Sequence, residues 1–269
     1  MEPAADVEYA EQGEGPAVLL LPGSFGTGAG WKAVTGTLGP GYRLVTTSLL
    51  GYGTTPDTRP DGNATMDRQV DLIDRIIERI GMPPHVVAHS FGGLAALAHA
   101  LQGRHRPASL LLIEANPFGL LRVAGHHAHY TMVTTMTAAY FADVARGVPD
   151  AARRVIDFYG GDGAFDALPA RAREYVVATT RVNVRDWTSG TPFEPPIETL
   201  QSLRLPTTVV RGATSHPAML GIAGLLHELI PDSTMVTIGD GGHFLPTSHP
   251  AQIAELIRQR VQANPGDGA

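Results

Sequence analysis

The stretch VVAHSFGG, residues 86–93, halts an apolar run at Ala88, sets a serine at the junction and follows it almost at once with two glycines. A serine hydroxyl can act as a nucleophile when a tight strand-to-helix turn lifts it above a sheet. There it meets the unpaired backbone N–H groups of the next helix, which favour negative charge. Such a turn is crowded, so the side chains two before and two after the serine must be small. Ala88 and Gly92 hold those places around Ser90. This is the logic of the nucleophile elbow, whose pattern is G-x-S-x-G. Here it reads A-H-S-F-G, a methyl group replacing the first glycine. A serine that merely caps a helix fits the same five residues, so the pattern alone leaves both readings open.

Whether Ser90 is a nucleophile depends on the elements around it. PAVLLLP (16–22) is predicted as a buried strand bounded by Pro and Gly, and YRLVTTS (42–48) as a second. Met66, Val70, Ile73, Ile77 and Ile80 recur at helical spacing, with Thr65 placed to cap that helix and Gly81 to end it. HVVAHS (85–90) is a strand, FGGLAALAHALQG (91–103) a helix and SLLLIEA (109–115) a strand. LPTTVVRG (205–212), a helix through AMLGIAGLLHELI (218–230), STMVTIGD (233–240) and a last helix from Pro250 resume the rhythm. Alternating strands and helices with continuously apolar strands predict an α/β fold, a mostly parallel sheet with helices on both faces. Residues 116–200 interrupt the alternation with helical texture, broken at GGDG (160–163) and PFEPP (192–196). An insertion that leaves after one strand and returns before the next lies over the carboxyl edge, where open α/β sheets bind ligands. The expected organisation is a core of 1–115 and 201–269 carrying a helical cap of 116–200.

The bulk properties narrow the partners. The chain has 269 residues, 43% hydrophobic and 17% charged, with a formal net charge of −6. No Lys/Arg block is long enough to track phosphates, so nucleic acid and anionic membrane surfaces are not expected partners; a small-molecule substrate is. With no cysteine, thiolate nucleophiles, thiolate metal sites and disulfides are excluded. MEPAADVEYAEQGEG at the start lacks the basic and apolar regions of a signal peptide, and no apolar run approaches the ~20 residues that span a bilayer. The expectation is a cytoplasmic protein; nothing in the sequence speaks to its oligomeric state.

Five stretches, LLLPGSFGTGAGW (19–31), SLLGYGTTP (48–56), VVAHSFGGLAALAHA (86–100), LPTTVVRG (205–212) and GDGGHFLPTSHP (239–250), together resemble the α/β-hydrolase superfamily over nearly the whole chain. The resemblance implies that fold and a Ser–acid–His apparatus in that chain order. It places the base at His243, after Gly241-Gly242 and just past the strand ending near Asp240. His249, in SHP, reads instead as the entry to the last helix, and strand alternation turns His89 away from Ser90. HHAH (126–129) looks like a ligand cluster, but no carboxylate pattern accompanies it; it reads as a partly exposed cap helix, and no metal or cofactor is expected. The family loop after the third strand usually begins His-Gly, and here it begins Pro22-Gly23. It can still offer the Ser24 backbone N–H, which with that of Phe91 would form the oxyanion hole.

The acid departs from the family pattern. Most relatives carry it three residues past the glycine of a VVRG-like strand end; that place is Ser215, and no Asp or Glu lies between 212 and 227. A branch of the superfamily takes its acid from the end of the strand after the elbow helix, which here is Glu114. A carboxylate at the tip of an apolar strand is costly to desolvate unless something there uses it. The competing readings are a structural Glu114 paired with Arg122, and Asp240 as the acid. The expected triad is Ser90, Glu114 and His243. A serine nucleophile implies acyl transfer on an ester, lactone or thioester. Phe118, Tyr130, Phe141, Phe158, Tyr159, Phe165 and Trp187 of the cap suggest an apolar pocket or simply the cap's own core. A small-molecule receptor and a hydroxynitrile-lyase-like enzyme are the alternatives from other classes.

Overall fold

The computed structural model describes residues 7–60 and 65–264. The first six residues of the acidic N-terminal stretch lie outside the described residues. Seven strands form one sheet: β1 (Ala10–Gln12), β2 (Ala17–Leu21), β3 (Arg43–Thr46), β4 (His85–His89), β5 (Ser109–Ile113), β6 (Thr207–Gly212) and β7 (Ser233–Ile238). Their order is β1-β3-β2-β4-β5-β6-β7; β1 runs antiparallel to β3 and every other pair is parallel. Around the sheet lie α1 (Lys32–Leu38), α2 (Asp67–Ile80), α3 (Phe91–Gln102), α11 (Pro217–Leu229), α12 (Leu245–Ser248) and α13 (Pro250–Ala263). Between β5 and β6 come α4 (Phe118–Val123), α5 (His127–Ala145), α6 (Arg153–Gly160), α7 (Ala164–Ala167), α8 (Ala170–Ala178), α9 (Thr180–Gly190) and α10 (Ile197–Ser202).

The period-2 geometry of each strand divides the core in two. Val18 and Leu20 of β2, Val87 of β4 and Leu111 and Ile113 of β5 pack with α1 and α13, through Val34, Ile253 and Ile257. Their neighbours Leu19, Leu21, Val86, Ala88, Leu110 and Leu112 face the other way, onto α2, α3 and α11. Both faces are therefore dry, which is why the strand runs are apolar without alternation. Each fully buried Leu, Ile or Val contributes on the order of 1.5–3 kcal/mol through the surface it withdraws from water.

Two local expectations are corrected. Thr65 does not cap α2: Met66 holds the N-cap position without a side-chain bond, and the Thr65 hydroxyl donates to Asp67 at 3.0 Å instead. Gly81 does end that helix, in the left-handed conformation at φ 78°. Asp74, which the helical pattern leaves among polar positions, is buried. Its carboxylate pairs with His99 in the last turn of α3 and accepts from the Arg104 and His105 N–H groups just beyond that helix. α1 and the short edge strand β1 carry no clear periodic signal.

Strand register sets where the loops meet. Leu21 lies opposite Ala88, His89 opposite Ile113, and Gly212 opposite Ile238. The carboxyl ends of five parallel strands thus come level, and the loops leaving them converge on one edge.

Candidate active site

Ser90 stands at that edge with φ 53° and ψ −122°, directly before α3. A left-handed φ on a non-glycine residue is strained by roughly 1–3 kcal/mol and persists only where the surroundings impose it. The surroundings here are tight. A Cβ on Gly92 would lie 2.3 Å from the Pro22 carbonyl oxygen, and one on Gly23 would lie 2.9 Å from the Ser90 Cβ. Ala88, in place of the usual glycine, fits because its methyl joins the buried core beneath the turn. Among the described residues only Phe25, Ser90 and Glu114 combine a side chain with a positive φ, and all three border this edge.

His243 reaches Ser90 from the loop after β7. Its Nε2 lies 2.9 Å from Ser90 Oγ and its Nδ1 3.1 Å from Glu114 Oε2. A carboxylate can only accept, so Nδ1 carries the hydrogen and the Nε2 lone pair faces the serine hydroxyl. The other carboxylate oxygen, Oε1, accepts from the Gly212 N–H and the Ser215 hydroxyl, both at 2.8 Å. Ser215, at the position where the sequence resemblance places an acid, thus donates to the Glu114 carboxylate. The two glycines before His243 permit a close approach of loops: the Thr214 N–H and hydroxyl both bind the Gly241 carbonyl, at 2.9 and 2.8 Å.

The residues behind the competing readings have other partners. Arg122 pairs with Glu194, not with Glu114. Asp240 lies exposed and 3.1 Å from His249 Nε2, so these two rivals bind each other away from Ser90. HHAH opens α5, where the His126 and His129 rings lie 6.0 Å apart. Among the described residues no three His, Asp or Glu side chains are grouped to hold a metal ion.

His89 is a correction. Alternation predicts that it turns away from Ser90, yet at the strand end it borders the same cavity as Ser90, and its Nε2 lies 2.8 Å from the His243 carbonyl oxygen. That oxygen can only accept, so His89 Nε2 bears the hydrogen and braces the loop of the neighbouring histidine. Burial, and next the nearby His243, push His89 down to about 3, so it remains a neutral donor.

The cavity above Ser90 measures about 260 Å³. Of the seven aromatic residues that the sequence offers for a pocket, Phe118, Tyr159 and Trp187 line it, while Phe165 is buried in the helical segment's own packing. Tyr159 does more than line: its ring stacks on His243 at 3.8 Å between centroids and 11° between planes, and its hydroxyl accepts from Asn116 Nδ2 at 2.9 Å. Burial raises the Tyr159 phenol well above its ordinary value, so it is a neutral group beside Ser90.

A second buried group has no counterpart among the residues picked out by sequence. Asp186 of α9 accepts from the Ser24 hydroxyl, the Tyr52 hydroxyl and Arg59 Nη1, each at 2.6 Å. Arg59, fully buried, also binds Asp57 and the Leu50 carbonyl. Burial pushes the Asp186 carboxyl up, against Arg59, Ser24 and Tyr52, which favour its charged form. The network ties the Pro22–Gly26 loop, expected to hold the oxyanion donor Ser24, to the helix above it. Phe91 opens α3 with its side chain on the cavity wall. Nothing local marks Arg59 or Asp186 in the sequence, because the partners are 127 residues apart.

A family model described as the alpha/beta hydrolase family matches residues 18–256. The chain belongs to the alpha/beta hydrolase family. It is 28% identical to a pimeloyl-[acyl-carrier protein] methyl ester esterase of Aromatoleum aromaticum over 92% of this chain and 98% of that one. It is 26% identical to a strigolactone esterase of Arabidopsis thaliana, covering 93% and 94%. The crystal structure of an alpha/beta hydrolase from Sphaerobacter thermophilus superposes with a TM-score of 0.76 at 21% identity, over 94% of this chain and 95% of that one, a likeness of fold. Among the described residues no helix is long and apolar enough to cross a membrane.

Proposed function

We propose that this alpha/beta hydrolase cleaves small, largely apolar ester-type substrates, whether carboxylic ester, lactone or thioester, by serine acyl transfer. The observation that carries the reading is the relay from Ser90 through His243 to Glu114, at 2.9 and 3.1 Å on the floor of a cavity. The esterase relatives support it at low identity.

In the proposed reaction Ser90 Oγ attacks the substrate carbonyl carbon while His243 Nε2 takes its proton. Glu114 holds the imidazole in the required tautomer and stabilises its positive charge. The backbone N–H groups of Ser24 and Phe91 meet the oxyanion that forms; a donor of this kind is worth roughly 3–4 kcal/mol because the charge exists only near the transition state. The tetrahedral intermediate collapses, the leaving alcohol or thiol takes the proton from His243, and an acyl-Ser90 ester remains. Water then attacks that ester with His243 as base, releasing the acid and restoring the hydroxyl. Every step uses the chain's own residues and water. Tyr159 keeps the imidazole plane in place by stacking, and the helices of 116–200 act as the cap that shapes the substrate cavity.

A panel of p-nitrophenyl esters with Ser90→Ala as control tests the reading. Wild-type turnover with loss on the order of 10⁴-fold or more in the variant is expected. Binding of small apolar ligands without turnover of any ester would favour the receptor alternative, and cyanohydrin cleavage without ester hydrolysis the lyase alternative; either contradicts the proposal.

A further inference from the structure

α9 carries Asn183, Asp186, Trp187 and Gly190 at i, i+3, i+4 and i+7, one stripe of the helix, and all four border the cavity. Its Gly190 end sits on the elbow helix, where a Cβ would come within 2.8 Å of Leu94 and 3.1 Å of Phe91. Asn183 lies seven residues back, about 10 Å farther along the helix axis at 1.5 Å per residue. The stripe therefore leads from the scissile position to a remote end of the cavity.

At that remote end Asn183 is fully buried, and among the described residues neither its Oδ1 nor its Nδ2 has a hydrogen-bond partner. A buried primary amide with both donor and acceptor unused destabilises the fold, so its presence calls for an external partner. Two features define that partner. A plain hydrocarbon would leave the amide unsatisfied. A carboxylate would enter without a countercharge, because among the described residues those that line the cavity include no Lys or Arg and one turn away they include Asp186. The nearby cations are committed elsewhere: Arg59 to Asp57 and Asp186, and Arg185 to Asp57 at 3.1 Å.

We propose that Asn183 is a specificity residue that recognises an uncharged group able both to donate and to accept, a carboxamide or hydroxyl, borne by the substrate away from its ester. The inference rests on the hydrolase reading of Ser90 and names the substrate class for that site.

The test compares p-nitrophenyl esters of heptanoic acid, adipic acid monoamide and adipic acid, which match in length and differ at the far end. A second arm places the same ends on the alcohol side of acetate esters. In at least one arm kcat/KM should rank amide, then hydrocarbon, then carboxylate, with steps of about tenfold. Asn183→Leu, of similar volume, should bring the amide-to-hydrocarbon ratio to about one or below. Its Tm should equal or exceed that of the wild type, because two unpartnered polar atoms leave the interior. A hydrocarbon-first, carboxylate-first or flat order in both arms overturns the proposal, as does a lower Tm for Asn183→Leu, which would make Asn183 a structural residue. Hydrolysis of p-nitrophenyl acetate by the wild type but not by Ser90→Ala tests the hydrolase reading separately, so the two failures are distinguishable.

Discussion

At the scale of single residues, Glu114, the proposed acid, carries the sharpest consequences. Glu114 has its two oxygens divided between His243 on one side and Gly212 and Ser215 on the other. Glu114→Gln keeps the shape and removes the charge, so turnover should fall by about 10⁴ with little change in KM, read by steady-state kinetics. Ser215→Asp in that background restores an acid at the position most relatives use and should recover part of the rate. In the wild-type background the same substitution sets a second carboxylate against the first and should lower activity. Tyr159 gives a graded test: Tyr159→Phe keeps the stack on His243 and should cost only a few-fold in kcat, while Tyr159→Ala removes the stack and should cost more. The place of Ser90 at a strand-to-helix turn was legible because the requirement is local, two small neighbours between an apolar run and a helix. Glu114 stands out in the sequence because no carboxylate lies near Ser215, and its contact with His243 exists only in the folded chain. The role of Tyr159 was not legible, since an aromatic in a helix has the same pattern whether it packs in a core or against a histidine far along the chain.

At the scale of elements, α9 is held to the core by a buried ion pair, and that pair decides how firmly the helix covers the cavity. Arg59 and Asp186 have almost no exposed side-chain surface. Removing one partner strands the other without a counterion, so Arg59→Ala should lower the unfolding free energy by about 3–5 kcal/mol, measured by urea denaturation. Because the Ser24 hydroxyl shares the same carboxylate, Asp186→Asn should also loosen the Pro22–Gly26 loop and reduce kcat more than it raises KM. The parallel strands could be read from their apolar runs, and the helical segment from the broken alternation. Thr65 misled because a capping residue type is no guarantee of a cap: the helix begins one place later than its hydroxyl could serve. β1 escaped notice because three exposed residues, Ala10–Gln12, have no burial pattern; they are a strand only because β3 offers an open edge.

At the scale of the whole molecule, several buried histidines couple the fold to pH. His89 titrates near 3 in the folded chain through burial, and burial also lowers His85 and His99. A depressed folded value means that the unfolded chain takes up the proton first, so the stabilisation is complete above about 6.5 and is lost as pH falls from there toward 3. His89 alone should cost about 1.4 kcal/mol per pH unit across that window. Tm measured from pH 7 to 4 should therefore drop steeply, and His89→Gln should flatten the slope; an unchanged slope would contradict the buried neutral state. The family and its sheet were legible across nearly the whole chain because apolar strand runs and stretches such as VVAHSFGG and GDGGHFLP are local signals. The cavity's polar fittings, Asn183 and the Arg59–Asp186 pair, were not, because they exist only once segments more than a hundred residues apart meet. In the proposed reaction, cavity, relay and helical segment all serve one step, the activation of Ser90 as a nucleophile by His243. A fluorophosphonate probe followed by peptide mapping tests that step most directly. Labelling should fall on Ser90 alone in the wild type and vanish in a natively folded His243→Ala variant. Labelling at Ser24 or Ser215, or persistence in His243→Ala with loss in His249→Ala, would contradict it.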